Sequence, residues 1–216
     1  MKETHVYTKK EEIVNAITHG IGVLFSIAAL VFLVLSAVEN GNAWHITTFS
    51  IYGATMIILY LCSTLVHSFP PGKVKDILEF FDHSAIYLFI AGTYTPFTLI
   101  VINGALGWTL LSIVWAIALI GVVFKAFFVK KFLYLSTILY IVMGWLIVIG
   151  WDPLVQTLPA EGIILLVAGG VLYTVGAIFY VWRGFLFHHA IWHLFVLAGS
   201  VTHFFTVLFY VSPIRI

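Results

Sequence analysis

Seven long apolar runs dominate this chain, at roughly 17–38, 45–67, 78–102, 106–128, 132–151, 161–182 and 188–211. Each is close to the ~20 residues that an α-helix needs to cross the hydrocarbon core of a bilayer. Backbone in lipid has no water to bond, so runs of this kind fold as helices that satisfy their own hydrogen bonds. The other spanning fold, a β-barrel, is written in ~10-residue segments of alternating polarity, and these runs are solid. The first run is too long for the apolar region of a signal peptide, and no A-x-A-like cleavage site follows it, so it reads as a span. Of the 216 residues, 62% are hydrophobic and 9% are charged, and the mean hydropathy is +1.11. An ordinary soluble domain is about 25% charged. A soluble enzyme and a disordered chain are therefore both excluded. Ten Lys and Arg against nine Asp and Glu leave no basic footprint for nucleic acid. The one cysteine, Cys62, allows no intrachain disulfide.

The connections are short and carry turn residues: Asn40-Gly41-Asn42, Pro70-Pro71-Gly72, Asn103-Gly104, Asp152-Pro153 and Arg183-Gly184. No linker, low-complexity tract or internal repeat divides the chain. The expected fold is an all-α integral membrane protein: a seven-transmembrane-helix bundle forming a single domain over 1–216, with 1–16 as an N-terminal arm. Nine of the ten basic residues fall on one side of this topology, with only Arg215 on the other. The positive-inside rule then puts the N-terminus and that arm in the cytoplasm and the C-terminus outside. Pro96 is expected to kink the third helix, with neighbouring threonine hydroxyls taking up freed carbonyls. Gly169, Gly170, Gly176 and Gly199 are expected to let helices approach closely. Trp44, Trp108 and Trp151 read as a belt at the outer interface.

Ionisable groups inside a membrane are costly, so their placement is informative. Glu11, Glu12, Asn15 and His19 start the first helix, and Ser63 and His67 end the second. Glu79, Asp82 and His83 start the third, and His188, His189 and His193 start the seventh. All four sets fall at one depth of the cytoplasmic leaflet. Asn15 and His19, Ser63 and His67, and His189 and His193 are each four apart, on one helix face. Two histidines at that spacing can reach one metal ion, although such pairs also occur for structural reasons. His67 can supply a third nitrogen, and three histidines with an open fourth position is the arrangement of catalytic zinc. Asp82 is then the nearby carboxylate. Glu11 and Asp82 each also suit a helix N-terminus, where the dipole favours a carboxylate. His5 and His45 read as arm and outer-loop residues. His203 lies too far along the seventh helix to bind the same ion, and reads as a core histidine or a polar group of a cavity.

These segments resemble the hemolysin III proteins, the bacterial branch of the progestin and adipoQ receptor family. The matching stretches are Glu12-Ile-Val-Asn15-Ala-Ile-Thr-His19-Gly20, Ser63-Thr-Leu-Val-His67, Phe81-Asp82-His83-Ser84 with Gly92-Thr93-Tyr94-Thr95-Pro96, and His189-Ala-Ile-Trp-His193. They come in the family's order and span nearly the whole chain. The resemblance implies an adiponectin receptor-like bundle of seven helices and a Zn²⁺ held by His67, His189 and His193. It also implies that Asp82 contacts the metal through a water and that Ser63 lies beside it. The same pattern is similar to that of alkaline ceramidases. The leading expectation is thus a zinc-dependent hydrolase of a lipid amide or ester, with a ceramide-like or other acyl lipid from the membrane as partner. In it Asp82 takes the proton of the attacking water and Ser63 hydrogen-bonds the developing oxyanion. Glu12, Asn15 and His19 fix the ligands from behind. A receptor or regulator of membrane lipid state with a structural zinc is the second reading, and cytolysis is the third. A pore-forming toxin fits poorly, because seven connected apolar helices leave no polar lumen.

Overall fold

In the computed structural model, which describes residues 7–215, seven helices are long and apolar enough to cross a membrane. They are Lys9–Asn40, Ala43–Ser68, Lys73–Ile102, Gly104–Phe128, Leu133–Thr157, Ala160–Val181 and His188–Val211, called the first to seventh helices below. His5 and Lys2 lie outside the described residues.

Two helices are longer than their apolar runs. The first starts at Lys9, because Thr8 caps it: its hydroxyl accepts from the Glu11 amide while the Glu11 carboxylate accepts from the Thr8 amide and hydroxyl. Residues 9–16, expected in an arm, are thus a helical extension whose polar side chains Glu11 and Asn15 are buried. The fifth continues to Thr157 through a 3₁₀ segment, Leu146–Gly150. Asp152-Pro153, expected to be a turn, sits in the first turn after that segment, where proline's missing N–H costs no bond. The backbone groups loosened at the break are met by Tyr94 of the third helix. Its hydroxyl donates to the Met143 and Gly144 carbonyls, both at 2.8 Å, and accepts from the Ile147 amide at 2.7 Å.

Neighbouring helices pack in sequence, and the seventh returns to the first, closing the array. The third helix is the most enclosed, with 72% of its apolar window buried. Beyond Pro96 it widens into a π-helix, Phe97–Ile102. Thr93, Thr95 and Thr98 donate their hydroxyls to the Phe89, Ala91 and Tyr94 carbonyls four residues back at 2.8–2.9 Å, and none of these three reaches the Gly92 carbonyl that Pro96 deprives of its usual N–H. The sixth and seventh helices meet closely through glycine: a Cβ on Gly176 would lie 2.6 Å from Phe195, and one on Gly199 would lie 2.8 Å from the Tyr173 ring. Trp44 and Trp108 meet edge to face at 5.8 Å, at the end opposite the histidines, and both are exposed. His45 corrects the expectation of a loop residue. It is buried in the first turn of the second helix, where its ring joins a cap with Asn42.

Candidate metal centre

One ligand nitrogen from each of His67, His189 and His193 lies within 4.8 Å of the other two, and all three residues are buried. The second helix delivers His67 in its last turn, and the seventh delivers His189 and His193 from successive turns of one face. The ring centroids are 5.0 Å apart for His67 and His189, 5.3 Å for His67 and His193, and 4.4 Å for His189 and His193.

The first helix sets how these rings are held. Glu12 accepts from His67 Nδ1 at 2.6 Å through one carboxylate oxygen and from Lys75 Nζ at 2.6 Å through the other. His67 therefore carries its proton on Nδ1, and its Nε2 lone pair is buried with no protein partner. His193 Nδ1 donates to the backbone carbonyl of Asn15 at 3.2 Å and lies 3.1 Å from the Thr18 hydroxyl. This again leaves Nε2 for an ion. Asn15 thus acts through its backbone, and its side-chain amide is buried without a partner. His19 stacks on His193 with centroids 3.4 Å apart and meets the Tyr60 ring at 5.0 Å. A histidine that ligates a metal usually gives its second N–H to a carboxylate or carbonyl, and two of these three do. His189 Nδ1 is also buried and unpartnered.

The donor set fits a divalent metal. Three nitrogens about 2.1 Å from one ion are about 3.4–3.6 Å apart, so movements of under about 1 Å at each ring close the set. Asp82 stands outside it: among the described residues, the group able to share an ion comprises the three histidines. Asp82 and Ser63 line the same cavity. His83 donates from Nδ1 to the Glu79 carbonyl at 2.8 Å and meets the Tyr180 hydroxyl through Nε2 at 3.1 Å. Glu11 is a latch as well as a cap, since its second oxygen accepts from the Phe187 amide at 3.1 Å just ahead of the seventh helix.

Four neighbours were not singled out from the sequence. Thr18 lies one turn from Asn15 and carries no charge. Lys75 was read only as a loop charge. Tyr7 and Tyr180 are two aromatics among many. Tyr7 packs against His189 at 5.1 Å and His67 at 5.8 Å, and Tyr180 lies 5.8 Å from His189. Burial pushes the Tyr7 phenol well above its usual range, against the opposing pull of Arg183, so it stays a neutral donor.

A family model for haemolysin-III related proteins matches residues 7–204. The chain belongs to the haemolysin-III related family. This haemolysin-III protein is 60% identical over 205 residues to the hemolysin-3 homolog of Bacillus subtilis (strain 168), an alignment covering 95% of this chain and 96% of that one. It is 56% identical over 204 residues to hemolysin-3 of Bacillus cereus, covering 94% and 93%. At 27% identity over 203 residues it also matches the human monocyte to macrophage differentiation factor, covering 91% and 83%. No solved structure gives a significant match. The family and the seven helices together make this an integral membrane protein.

Proposed function

We propose that this haemolysin-III protein is a zinc-dependent hydrolase of a lipid amide or ester, its site lying in the cytoplasmic leaflet with the N-terminus inside. The observation that carries this reading is the division of labour at the site: three imidazoles converge while Asp82 stands apart from them. A structural zinc is usually closed by four protein ligands, whereas a catalytic one keeps a position open. Three imidazoles suit zinc among the common divalent metals. When bound, zinc would supply a Lewis acid for the substrate carbonyl and acidify a water.

The chain's own groups do the rest. Glu12, with Lys75 behind it, holds His67 in one tautomer, and the Asn15 carbonyl does the same for His193. Asp82 accepts the proton of the attacking water and returns it to the leaving amine or alcohol. Ser63 lines the same cavity and hydrogen-bonds the developing oxyanion. A cavity of about 2050 Å³ runs from this site into the bundle, reaching Trp145, Tyr173 and His203, and has room for an acyl chain. The bacterial relatives are named hemolysins, and lysis following lipid turnover is the sense in which we apply that name to this chain.

The test is metal analysis paired with hydrolysis of a panel of ceramides and acyl esters. His189→Ala should lose both zinc and turnover. Asp82→Asn should keep zinc and lose at least ~100-fold in turnover. Purified protein that holds zinc and shows no Asp82-dependent hydrolysis across the panel overturns the enzyme and leaves the structural-zinc receptor.

A further inference from the structure

The cavity is not uniformly apolar. At its deep end the seventh helix presents His203, which is 7% exposed and lines the cavity wall. Its Nε2 lies 3.0 Å from the Leu166 carbonyl. A carbonyl only accepts, so Nε2 carries the proton. An imidazolium here would set a charge among apolar helices, so the ring is neutral and Nδ1 holds a lone pair. That Nδ1 is buried with no hydrogen-bond partner.

Nothing nearby is placed to satisfy it. Tyr173 shares its hydroxyl with Ser200 at 3.0 Å, Trp145 donates to Thr174 at 3.0 Å, and Thr202 donates back to the Gly199 carbonyl at 2.8 Å. Thr93 donates to the Phe89 carbonyl at 2.8 Å. Nor does the ring have freedom to turn away. The sixth helix passes so close that a Cβ on Gly169 would lie 2.2 Å from His203 Cδ2. With its Cδ2–Nε2 edge held there, the Nδ1 edge faces away from the sixth helix. An unmade hydrogen bond in such surroundings is costly, which makes a fixed, unpaired acceptor an unusual thing to line a cavity with.

We propose that His203 is a distal polar subsite: it accepts a hydrogen bond from a hydroxyl far along the acyl chain of a lipid whose carbonyl group sits at the histidine triad. The proposal rests on the lipid-hydrolase reading and adds a specificity to it. Helix geometry sets the position of the hydroxyl. Twelve residues separate His203 from the midpoint of His189 and His193, or roughly 18 Å at the rise of an α-helix. Allowing about 3 Å for the hydrogen bond itself leaves ~15 Å. An extended chain covers about 1.2 Å per bond, so the hydroxyl belongs about twelve bonds from the ion. A mid-chain hydroxyl fits, and one beside the carbonyl does not.

The experiment uses the full chain purified in detergent with zinc present, and the fatty acids such a hydrolase would release. Competition with a fluorescent fatty acid gives Kd values for stearic, 2-hydroxystearic and 12-hydroxystearic acids. The protein should bind 12-hydroxystearate roughly 3- to 10-fold more tightly than stearate, the scale of one net hydrogen bond. It should show no such gain for the 2-hydroxy acid. In His203→Phe, which keeps an aromatic ring and removes the acceptor, the ratio of the two Kd values should fall to about one. Each protein serves as its own reference, and the acid series on the unchanged chain stands without the variant. Equal binding of stearate and 12-hydroxystearate overturns the subsite while the acyl-chain cavity stands. A preference that survives in His203→Phe overturns it too. Failure of every acid to bind overturns the subsite and the lipid-hydrolase reading together.

Discussion

At the scale of residues, two adjacent glutamates do different work. Glu11 closes the cap of the first helix and ties down the Phe187 amide. Glu12 grips His67 and Lys75. Glu12→Gln should therefore weaken zinc binding by 10- to 100-fold, read by titration against a competing chelator. Glu11→Gln should leave that affinity near the parent value and lower stability by about 1 kcal/mol, read by thermal unfolding. The spacing of polar residues made most of this neighbourhood legible in advance, because an imidazole or carboxylate stands out against an apolar helix. What it could not convey was which atom of each residue acts. Asn15 works through its carbonyl, a group that every residue has. Thr18, Tyr7 and Tyr180 are residue types too common in membrane helices to stand out.

At the scale of elements, the hydropathy runs located the seven helices well and their ends less well. The first helix begins eight residues ahead of its apolar run because a capping box, which is polar, starts it. The fifth runs past Asp152-Pro153 because a proline in a first turn does not stop a helix. Small residues marked where the sixth and seventh helices approach. Gly176→Val should force the sixth helix off Phe195 and Trp192 and cost about 1–3 kcal/mol, seen as a lower Tm in detergent. Val171→Ala, on the exposed face of the same helix, should leave Tm nearly unchanged. Equal shifts in the two variants would show that the close approach does not limit stability.

At the scale of the whole molecule, the charge bias and the histidine cluster fall at the same end of the bundle, although only the charges entered the assignment of sidedness. Among the described residues, Lys9, Lys75, Lys125, Lys130, Lys131 and Arg183 of that end line the cavity. Single cysteines placed at Lys131 and at Asn42 in a Cys62→Ser background test the orientation. A membrane-impermeant thiol reagent added to intact cells should label the cysteine at 42 and spare the one at 131. The opposite pattern would move the proposed chemistry to the outer leaflet.

The triad also has an order in time. His67 belongs to the second helix, and its two companions to the seventh, while the groups that steady them belong to the first. During synthesis, every growing chain that stops short of residue 189 holds one imidazole of the three. On the proposed metal reading, affinity for the ion therefore switches on only when the last helix has docked against the first, and an unfinished chain, whichever side the site faces, lacks the set that would retain it.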